Sequence, residues 1–240
     1  MRAVRLALPA RPPKRTLRIP ILMYHRVDLV KPSLPRITRA LTVAPSDFSR
    51  QMRWLHSHGF HAVSQSEVFA ALEGGAALPQ HPVMITFDDG YRDVLTNAAP
   101  VLARLHMPAT AYVITSRISG GDTSFLTWNG LRKLERDGIS IGSHTVHHLR
   151  LTGQTDAIAM DELVGSRLAL ERRLHHPVQW FAYPGGAENA HVLDLVRRAG
   201  YVLAVTTHPG RLQRANLPLA LERYEVLDTT GVDGIGAFVR

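Results

Sequence analysis

The chain has 240 residues, with 28 Lys or Arg against 20 Asp or Glu, so its formal net charge is +8. This length and an apolar content of 45% allow a sizeable buried core and favour one globular domain, which excludes fibrous and disordered classes. The sequence contains no cysteine, which excludes disulfides and thiolate metal ligands. Any bound metal must therefore use His, Asp or Glu, and the 13 His make such a site feasible.

The first residues carry much of the positive charge. Residues 1–18 contain six basic residues and no acidic residue: Arg2, Arg5, Arg11, Lys14, Arg15 and Arg18. We expect residues 1–18 to form a mobile basic arm, which favours weak contact with an anionic surface such as a cell envelope. No nucleic-acid-binding motif accompanies this charge, so no nucleic-acid partner is expected.

The same segment does not match a secretory signal, because the apolar run at Leu6 and Leu8 is cut short by Pro9. No later run approaches the roughly 20 apolar residues that a membrane helix needs. The sequence therefore predicts neither an export signal nor a membrane span, and it leaves the localisation and the oligomeric state open.

From residue 19 onward, apolar segments alternate with helical patterns. The predicted strands are 19–26, 61–63, 82–87, 109–114, 139–143, 178–183, 201–206 and 223–226. The predicted helices are 46–58, 66–72, 97–105, 127–137 (capped by Thr127), 156–174 and 189–199. In 156–174 much of the predicted inner stripe is formed by Ala157, Met160, Val164, Leu168 and Leu174. The alternation predicts one α/β domain over residues 19–240, with a parallel sheet closed, or nearly closed, into a barrel.

Unusual polar residues fall where four of the predicted strands end. His25 follows ILMY, Asp88 and Asp89 follow VMITF, His144 follows ISIGS, and Tyr183 follows WFA. In α/β barrels the carboxyl ends of the strands form one face, and active sites lie on that face. We therefore expect these side chains to meet in one site.

Asp88 and Asp89 lie at the end of an apolar run, where the burial of two unpaired charges would cost considerable free energy. Neighbouring carboxylates repel each other, and one of them is driven toward protonation unless a cation compensates. A divalent metal would resolve this conflict, because one carboxylate can bind it while the other takes a proton from water. Taken alone, Asp-Gly is also a common turn pair, and that alternative stays open.

The segment 142–148, GSHTVHH, supplies histidines that can share the metal. His144 and His148 are four residues apart, a spacing that places both imidazoles on one face of a helical turn. His147 is three residues after His144, which is also a workable spacing, and the sequence does not exclude it as the ligand in place of His148. Two His and one Asp form a ligand set that leaves positions for water and substrate.

These motifs together resemble those of the polysaccharide deacetylases, the carbohydrate esterase family 4 or NodB homology domain. TFDDG at 86–90 and SHTVHH at 143–148 are similar to the first two motifs of that family. ILMYHRV and FAYPGG are similar to its branch of poly-β-1,6-N-acetylglucosamine deacetylases, and the likeness spans residues 19–227. The resemblance implies a distorted (β/α)7 barrel that hydrolyses the N-acetyl amide of an aminosugar glycan.

The resemblance also implies roles for individual residues. It makes Asp88 the catalytic base and makes Asp89, His144 and His148 the ligands of a divalent metal. In the family this metal is usually zinc, and sometimes cobalt or nickel. A backbone N–H of the third motif, from Tyr183 or its neighbour, is expected to stabilise the oxyanion.

Two further residues complete the expected site. In the branch that begins with a Tyr-His pair the early His protonates the leaving amine, which assigns His25 as the general acid; a buried His bonded to a backbone carbonyl is the alternative. The usual third motif starts with an Arg that pairs with the catalytic Asp, but the stretch VQWFAYPGG has none. Arg223 is the expected replacement that orients Asp88, and an ordinary surface Arg is the alternative.

The sequence thus predicts a metal-dependent deacetylase of N-acetylated glycans. One alternative keeps the site and changes the substrate to a non-glycan amide, because the chemistry specifies only the hydrolysis of a C–N bond. The other alternative is a catalytically inactive barrel that binds a glycan or an anionic polymer. The resemblance favours an envelope or extracellular location, with the cytoplasm as the alternative.

Overall fold

The computed structural model describes residues 15–240, and within that range the chain forms twelve strands and eight α-helices. The strands are β1 (Thr16–Arg18), β2 (Ile21–Tyr24), β3 (Arg26–Val27), β4 (Thr42–Val43), β5 (His61–Ala62), β6 (Pro82–Phe87), β7 (Ala109–Val113), β8 (Ile139–Ser143), β9 (Trp180–Ala182), β10 (Leu203–Val205), β11 (Leu212–Arg214) and β12 (Tyr224–Glu225). The helices are α1 (Arg36–Ala40), α2 (Pro45–Ser57), α3 (Gln65–Gly74), α4 (Ala99–Arg104), α5 (Trp128–Arg136), α6 (Asp156–Leu174), α7 (Ala190–Arg198) and α8 (Val232–Val239).

Seven of these strands form one curled parallel sheet in the order β10-β9-β8-β7-β6-β2-β12, and β5 pairs with the start of β6. The two ends of this order approach each other through the segment 221–226. Leu221 donates to Ala204 O at 2.9 Å and accepts from Thr206 N at 2.8 Å, while Val226 donates to Met23 O at 2.9 Å. The predicted α/β class and barrel-like parallel sheet are thereby confirmed.

Residues along the sheet strands alternate between two apolar clusters, as a pleated strand requires. In β6, Val83 and Ile85 pack in the cluster that contains helices α2 and α5, whereas Met84 packs in the cluster on the inner side of the curled sheet. Thr86 and Asp88 come two and four residues after Met84, so their side chains lie on the same face of the sheet as that of Met84. The alternation therefore directs both of these polar side chains into the barrel interior.

The end of the predicted N-terminal arm differs from the prediction. Thr16–Arg18 form β1, which pairs antiparallel with β11 and places Leu17 opposite Gln213. Residues 16–18 therefore belong to a two-stranded sheet rather than to a mobile arm, because ladder hydrogen bonds hold their backbone. Residues 1–14, which include the short apolar run and the first four basic residues, lie outside the described residues, so the rest of the arm stays a prediction.

Helix boundaries follow local signals. Thr127 caps α5 by accepting from Gly130 N at 3.1 Å, as predicted, and α6 covers its predicted span with Thr155 as its cap. The predicted helix 97–105 instead begins as a π-helical turn and becomes an α-helix at α4, with Pro100 in its first turn. Proline suits that position, because the first turn leaves its N–H groups unpaired within the helix.

The predicted inner stripe of α6 is confirmed at Leu174 and wrong at its other four positions. The buried residues of this helix are Ala159, Glu162, Leu163, Ser166, Leu170 and Leu174, whereas Leu168 is 41% exposed. Apolar side chains occur nearly all round this helix, so their spacing did not identify the buried face. Contacts made by polar side chains mark that face: Ser166 Oγ lies 2.7 Å from Ser143 Oγ at the end of β8, beside the predicted site.

Helix α8 was not predicted, because its two glycines lower the helical propensity of a short segment. Ile235 and Val239 are buried in the same cluster as α2, and Phe238 stacks on Tyr224 of β12 at 4.6 Å. Tertiary packing therefore stabilises a helix that local propensity does not favour.

The longest helix, α6, has 19 residues and carries acidic and basic side chains along its length. Across residues 15–240, neither this helix nor any other combines the length and the apolar character needed to cross a membrane.

Candidate active site

The buried pair of Asp88 and Arg223 forms the inner end of the site. Asp88, which follows β6, is 2% exposed, and Arg223, which precedes β12, is fully buried. Arg223 Nη1 donates to Asp88 Oδ1 at 2.8 Å and Nη2 donates to Oδ2 at 2.6 Å. Arg223 also donates to Thr206 O at 2.7 Å and to Thr86 Oγ1 at 3.1 Å. The structure brings the two residues together as expected, and Arg223 is not a surface residue.

The environment of Asp88 keeps its carboxylate charged. Burial acts to raise the pKa of Asp88, since a carboxylate is costly to ionise away from water. The charge of Arg223 and its two hydrogen bonds outweigh this effect and lower the pKa of Asp88 to about 2. Asp88 is therefore ionised at neutral pH and is held in one orientation, both of which a proton acceptor needs.

Asp89, His144 and His148 bring three candidate metal ligands together. One donor atom of each lies within 4.8 Å of the other two. His144 Nε2 and His148 Nε2 are each 3.6 Å from Asp89 Oδ1. Asp89 and His148 adopt left-handed backbone conformations, with φ of 74° and 63°. These turns after β6 and β8 direct the three side chains to a common point, and such uncommon conformations cluster at functional sites.

The orientation of these ligands fits a divalent cation. His144 Nδ1 donates to Ala182 O at 2.8 Å, so its Nε2 keeps a lone pair on the side of Asp89. Burial and the nearby His144 lower the pKa of His148, which favours the neutral imidazole that a metal requires. Two imidazole nitrogens and one carboxylate oxygen suit zinc, and they also suit cobalt or nickel.

The loop after β8 distinguishes His147 from His148. His147 Nδ1 lies 2.6 Å from Glu162 Oε1, and its side chain is 62% exposed. Glu162 Oε2 also accepts the backbone N–H groups of Val146 at 3.0 Å and His147 at 2.8 Å, while Thr145 Oγ1 accepts that of His148 at 2.9 Å. The structure therefore turns His147 toward α6 and places His148 against Asp89.

His25 stands at the end of the strand next to Asp88. Tyr24 pairs with Phe87, and Tyr24 O accepts from Asp88 N at 2.9 Å, so His25 and Asp88 follow adjacent strand ends. His25 Nδ1 is buried and has no hydrogen-bond partner among residues 15–240. The alternative of a histidine bonded to a backbone carbonyl is therefore not supported at this nitrogen.

Tyr183 is buried beyond the end of β9, and its hydroxyl donates to Leu219 O at 2.9 Å. Its backbone N–H donates to Val205 O at 3.2 Å. This bond commits the N–H to the sheet, so the geometry does not support Tyr183 itself as the oxyanion donor. Its neighbour Pro184 has no N–H, and the next amide belongs to Gly185, which has φ of 61°. Gly185 thus replaces Tyr183 as the candidate donor of this segment.

Sequence reasoning missed Glu162, which fixes the loop that carries the histidines. It lies within α6, where an acidic residue is ordinary, and 15 residues separate it from His147. Its position in the buried stripe with Leu163 and Ser166 was the available signal, since a buried acid needs partners. The predicted stripe of α6 did not include Glu162, so Glu162 was not recognised as a buried acid.

Comparison with known proteins connects this geometry to a family. The family model of polysaccharide deacetylase matches residues 75–204. The protein YxkH of Bacillus subtilis is 31% identical over 226 residues, which cover 94% of this chain and 77% of YxkH. The chain belongs to the polysaccharide deacetylase family. The matched residues include Asp88, Asp89, His144 and His148, whereas Arg223 lies beyond the family match.

Two further members of the family extend the comparison. The poly-β-1,6-N-acetyl-D-glucosamine N-deacetylase of Staphylococcus epidermidis is 27% identical over 201 residues, which cover 75% of this chain and 68% of that protein. The structure of the Streptococcus pyogenes deacetylase PplD in complex with acetate superposes with a TM-score of 0.85 at 29% identity, and the match covers 95% of this chain and 99% of PplD. Nearly the whole of this chain therefore has the same fold as PplD.

Proposed function

We propose that this protein is a metal-dependent hydrolase that removes N-acetyl groups from the aminosugar residues of a polysaccharide or oligosaccharide. One observation carries the proposal: two adjacent acids have different partners. Asp88 is ion-paired with buried Arg223, whereas Asp89 converges with His144 and His148. Such a division supplies a base and a metal site side by side.

The named relatives support this substrate class. The S. epidermidis relative is a poly-β-1,6-N-acetyl-D-glucosamine N-deacetylase, and the S. pyogenes structure is that of a deacetylase with acetate, the acid that hydrolysis of an acetyl amide releases. An envelope or extracellular polysaccharide is the corresponding substrate. The net charge of +8 favours an anionic surface of this kind.

The residues around Asp88 account for the attack of water. Asp89, His144 and His148 would hold the metal, which when bound polarises an acyl oxygen and lowers the pKa of water. Asp88 accepts a proton from the attacking water, and Arg223 keeps Asp88 ionised and aligned. The water oxygen adds to the acetyl carbon, and the Gly185 N–H is the proposed donor to the oxyanion.

The second half of the reaction needs a proton donor. We assign this role to His25, which lies beside Asp88 and has an unpartnered, buried Nδ1 among the described residues. As the C–N bond breaks, the amine nitrogen takes a proton from His25, and acetate and the free aminosugar are released. Asp88 then releases to solvent the proton that it took from water, and His25 takes up a proton from solvent, which restores both residues for the next reaction.

The test is acetate release from N-acetylglucosamine oligosaccharides after removal of metal with a chelator and separate reloading with zinc, cobalt or nickel. We expect release that chelation abolishes and metal restores, with zinc the most effective. His144→Ala should abolish it, whereas His191→Ala, which changes an exposed histidine paired with Asp156, should not.

The alternatives predict different results in the same assay. Faster hydrolysis of simple amides than of glycans would replace the glycan by another amide as the substrate. Glycan or polymer binding without bound metal and without acetate release from any substrate would contradict the hydrolase and indicate a binding protein.

A further inference from the structure

A polar cavity beside the site has no role in the hydrolysis proposed above. Its volume is about 370 Å³, and its charged lining consists of Arg26, Asp28, Lys31, Arg92 and Asp93. A volume of this order falls within the range of roughly 300–1,000 Å³ that small-molecule sites occupy. The cavity therefore has room for part of a glycan or for one of its substituents.

The cavity and the active site share two chain segments. Arg26 follows His25 directly, and its guanidinium lies 4.9 Å from the centre of the Tyr91 ring, two residues after Asp89. Asp93 Oδ1 accepts from Val27 N at 2.9 Å, which ties the two segments together. Arg26 and Asp93 are one and four residues along the chain from His25 and Asp89, a separation of at most about 14 Å, so one glycan can contact both the cavity and the active site.

The acids of the cavity already have partners. Asp93 Oδ2 accepts from Arg26 Nε at 2.9 Å, and Asp28 Oδ2 accepts from Arg26 Nη2 at 3.1 Å. Asp28 Oδ1 accepts in addition from Leu29 N at 2.8 Å. One arginine thus serves two carboxylates, and this trio contributes a charge of about −1 to the wall at neutral pH.

Two cations of the cavity have no such partner. Lys31 and Arg92 both line it, and within residues 15–240 neither forms an ion pair with a carboxylate. Thr96 and Ser124 add hydroxyl groups to the same lining, which can donate to an anion or to a sugar. Together with the Arg26 trio, the five charged side chains leave a net charge of about +1.

We propose that this cavity is a subsite for an anionic group of the glycan, either a carboxylate or a phosphate, which Lys31 and Arg92 bind. The inference rests on the proposed function, because it takes a glycan as the ligand. It adds a substrate class: an acetylated glycan that carries negative charge near the sugar to be deacetylated. Lys31 and Arg92 are exposed, and two charge contacts of this kind should favour the anionic glycan about 5- to 10-fold over its neutral counterpart.

The test uses three N-acetylglucosamine oligosaccharides that differ in one neighbouring sugar, which is neutral, carboxylated or phosphorylated. Binding is measured by calorimetry and acetate release by kinetics, on the wild type and on the Lys31→Gln/Arg92→Gln double variant. The control is Arg53→Gln, which removes one positive charge outside the cavity, from an exposed arginine of α2 that donates to Ser49 O.

We expect the wild type to bind the carboxylated or the phosphorylated glycan about 5- to 10-fold more tightly than the neutral one, with a preference that weakens as salt screens the charges. The double variant should bring this ratio close to one, whereas Arg53→Gln should leave it in place. The anionic glycan with the higher affinity relative to the neutral glycan identifies the group that the subsite binds.

Two results would overturn the inference: a ratio near one in the wild type, or a preference that persists in the double variant. Both are independent of the proposed function. Acetate release without any anionic preference would retain the hydrolase and reject the subsite. An anionic preference in binding without acetate release would retain the subsite and reject the hydrolase.

Discussion

Arg223 and Asp88 are 135 residues apart in the chain and meet in a buried ion pair with two hydrogen bonds, of 2.8 and 2.6 Å. Arg223 belongs to the segment 221–226, which connects the two ends of the curled sheet, and Asp88 follows β6, an interior strand of that sheet. The contact that orients the proposed base therefore also holds the barrel together.

Replacement of Arg223 should destabilise the fold as well as the site. Arg223→Gln leaves the Asp88 carboxylate buried without its partner, so we expect a loss of about 3–5 kcal/mol in the free energy of unfolding, measured with urea. Asp88→Asn/Arg223→Gln should lose less than the sum of the two single variants, because the second change removes the unpaired charge. Additive losses would show that the pair is not coupled.

Metal content should separate the two adjacent histidines. His148→Ala removes a side chain whose Nε2 faces Asp89, so we expect purified protein to lose most of its bound zinc. His147→Ala removes an exposed ring that contacts Glu162 and should retain zinc. Elemental analysis of both variants after identical loading makes the comparison. Loss of zinc in His147→Ala with retention in His148→Ala would reverse the ligand assignment.

Glu162 should support metal binding from outside the ligand set. Glu162→Gln weakens the acceptor of two backbone N–H groups in the loop that carries His148, and we expect zinc affinity to fall by about tenfold. Competition with a zinc chelator measures this change. Asp161→Asn, which alters the preceding exposed acid on the same helix, serves as the matched control. Equal zinc affinities in Glu162→Gln and Asp161→Asn would show that Glu162 does not support metal binding.

The turn after Tyr183 should tolerate no side chain at Gly186. This residue has φ of 64°, and a Cβ there would lie 2.7 Å from Thr207 N, which is backbone and cannot move away easily. We expect Gly186→Ala to cost about 1–3 kcal/mol in thermal or urea unfolding. Gly153→Ala is the control, since nothing lies within 4 Å of its Cβ position. Equal stability of the two variants would contradict the packing described for this turn.

Much of the site was predictable because strand periodicity and strand ends are local signals. The run PVMITF fixes β6, and the residues after it fall at the active face of any parallel barrel, so Asp88 and Asp89 were placed together with His25 and His144. The absence of an Arg from the third motif led to the prediction that Arg223 pairs with Asp88. In the structure Arg223 donates two hydrogen bonds to the carboxylate of Asp88.

Other features depend on contacts that sequence spacing does not encode. The direction of His147 and His148 is decided by Glu162 on a different helix, and the commitment of the Tyr183 N–H is decided by Val205 on the neighbouring strand. The strand at Thr16–Arg18 likewise requires a partner almost two hundred residues away, which is why a basic segment was expected to be mobile.

Asp88 and Asp89 are adjacent but have different proposed roles, Asp88 as the base and Asp89 as a metal ligand. Metal content and acetate release measured on the same preparations of Asp88→Asn and Asp89→Asn test these roles most directly. Asp88→Asn should retain zinc while acetate release falls by at least about 100-fold, as the loss of a general base predicts. Asp89→Asn should lose both zinc and acetate release. Wild-type acetate release in Asp88→Asn, or full zinc content in Asp89→Asn, would contradict the account.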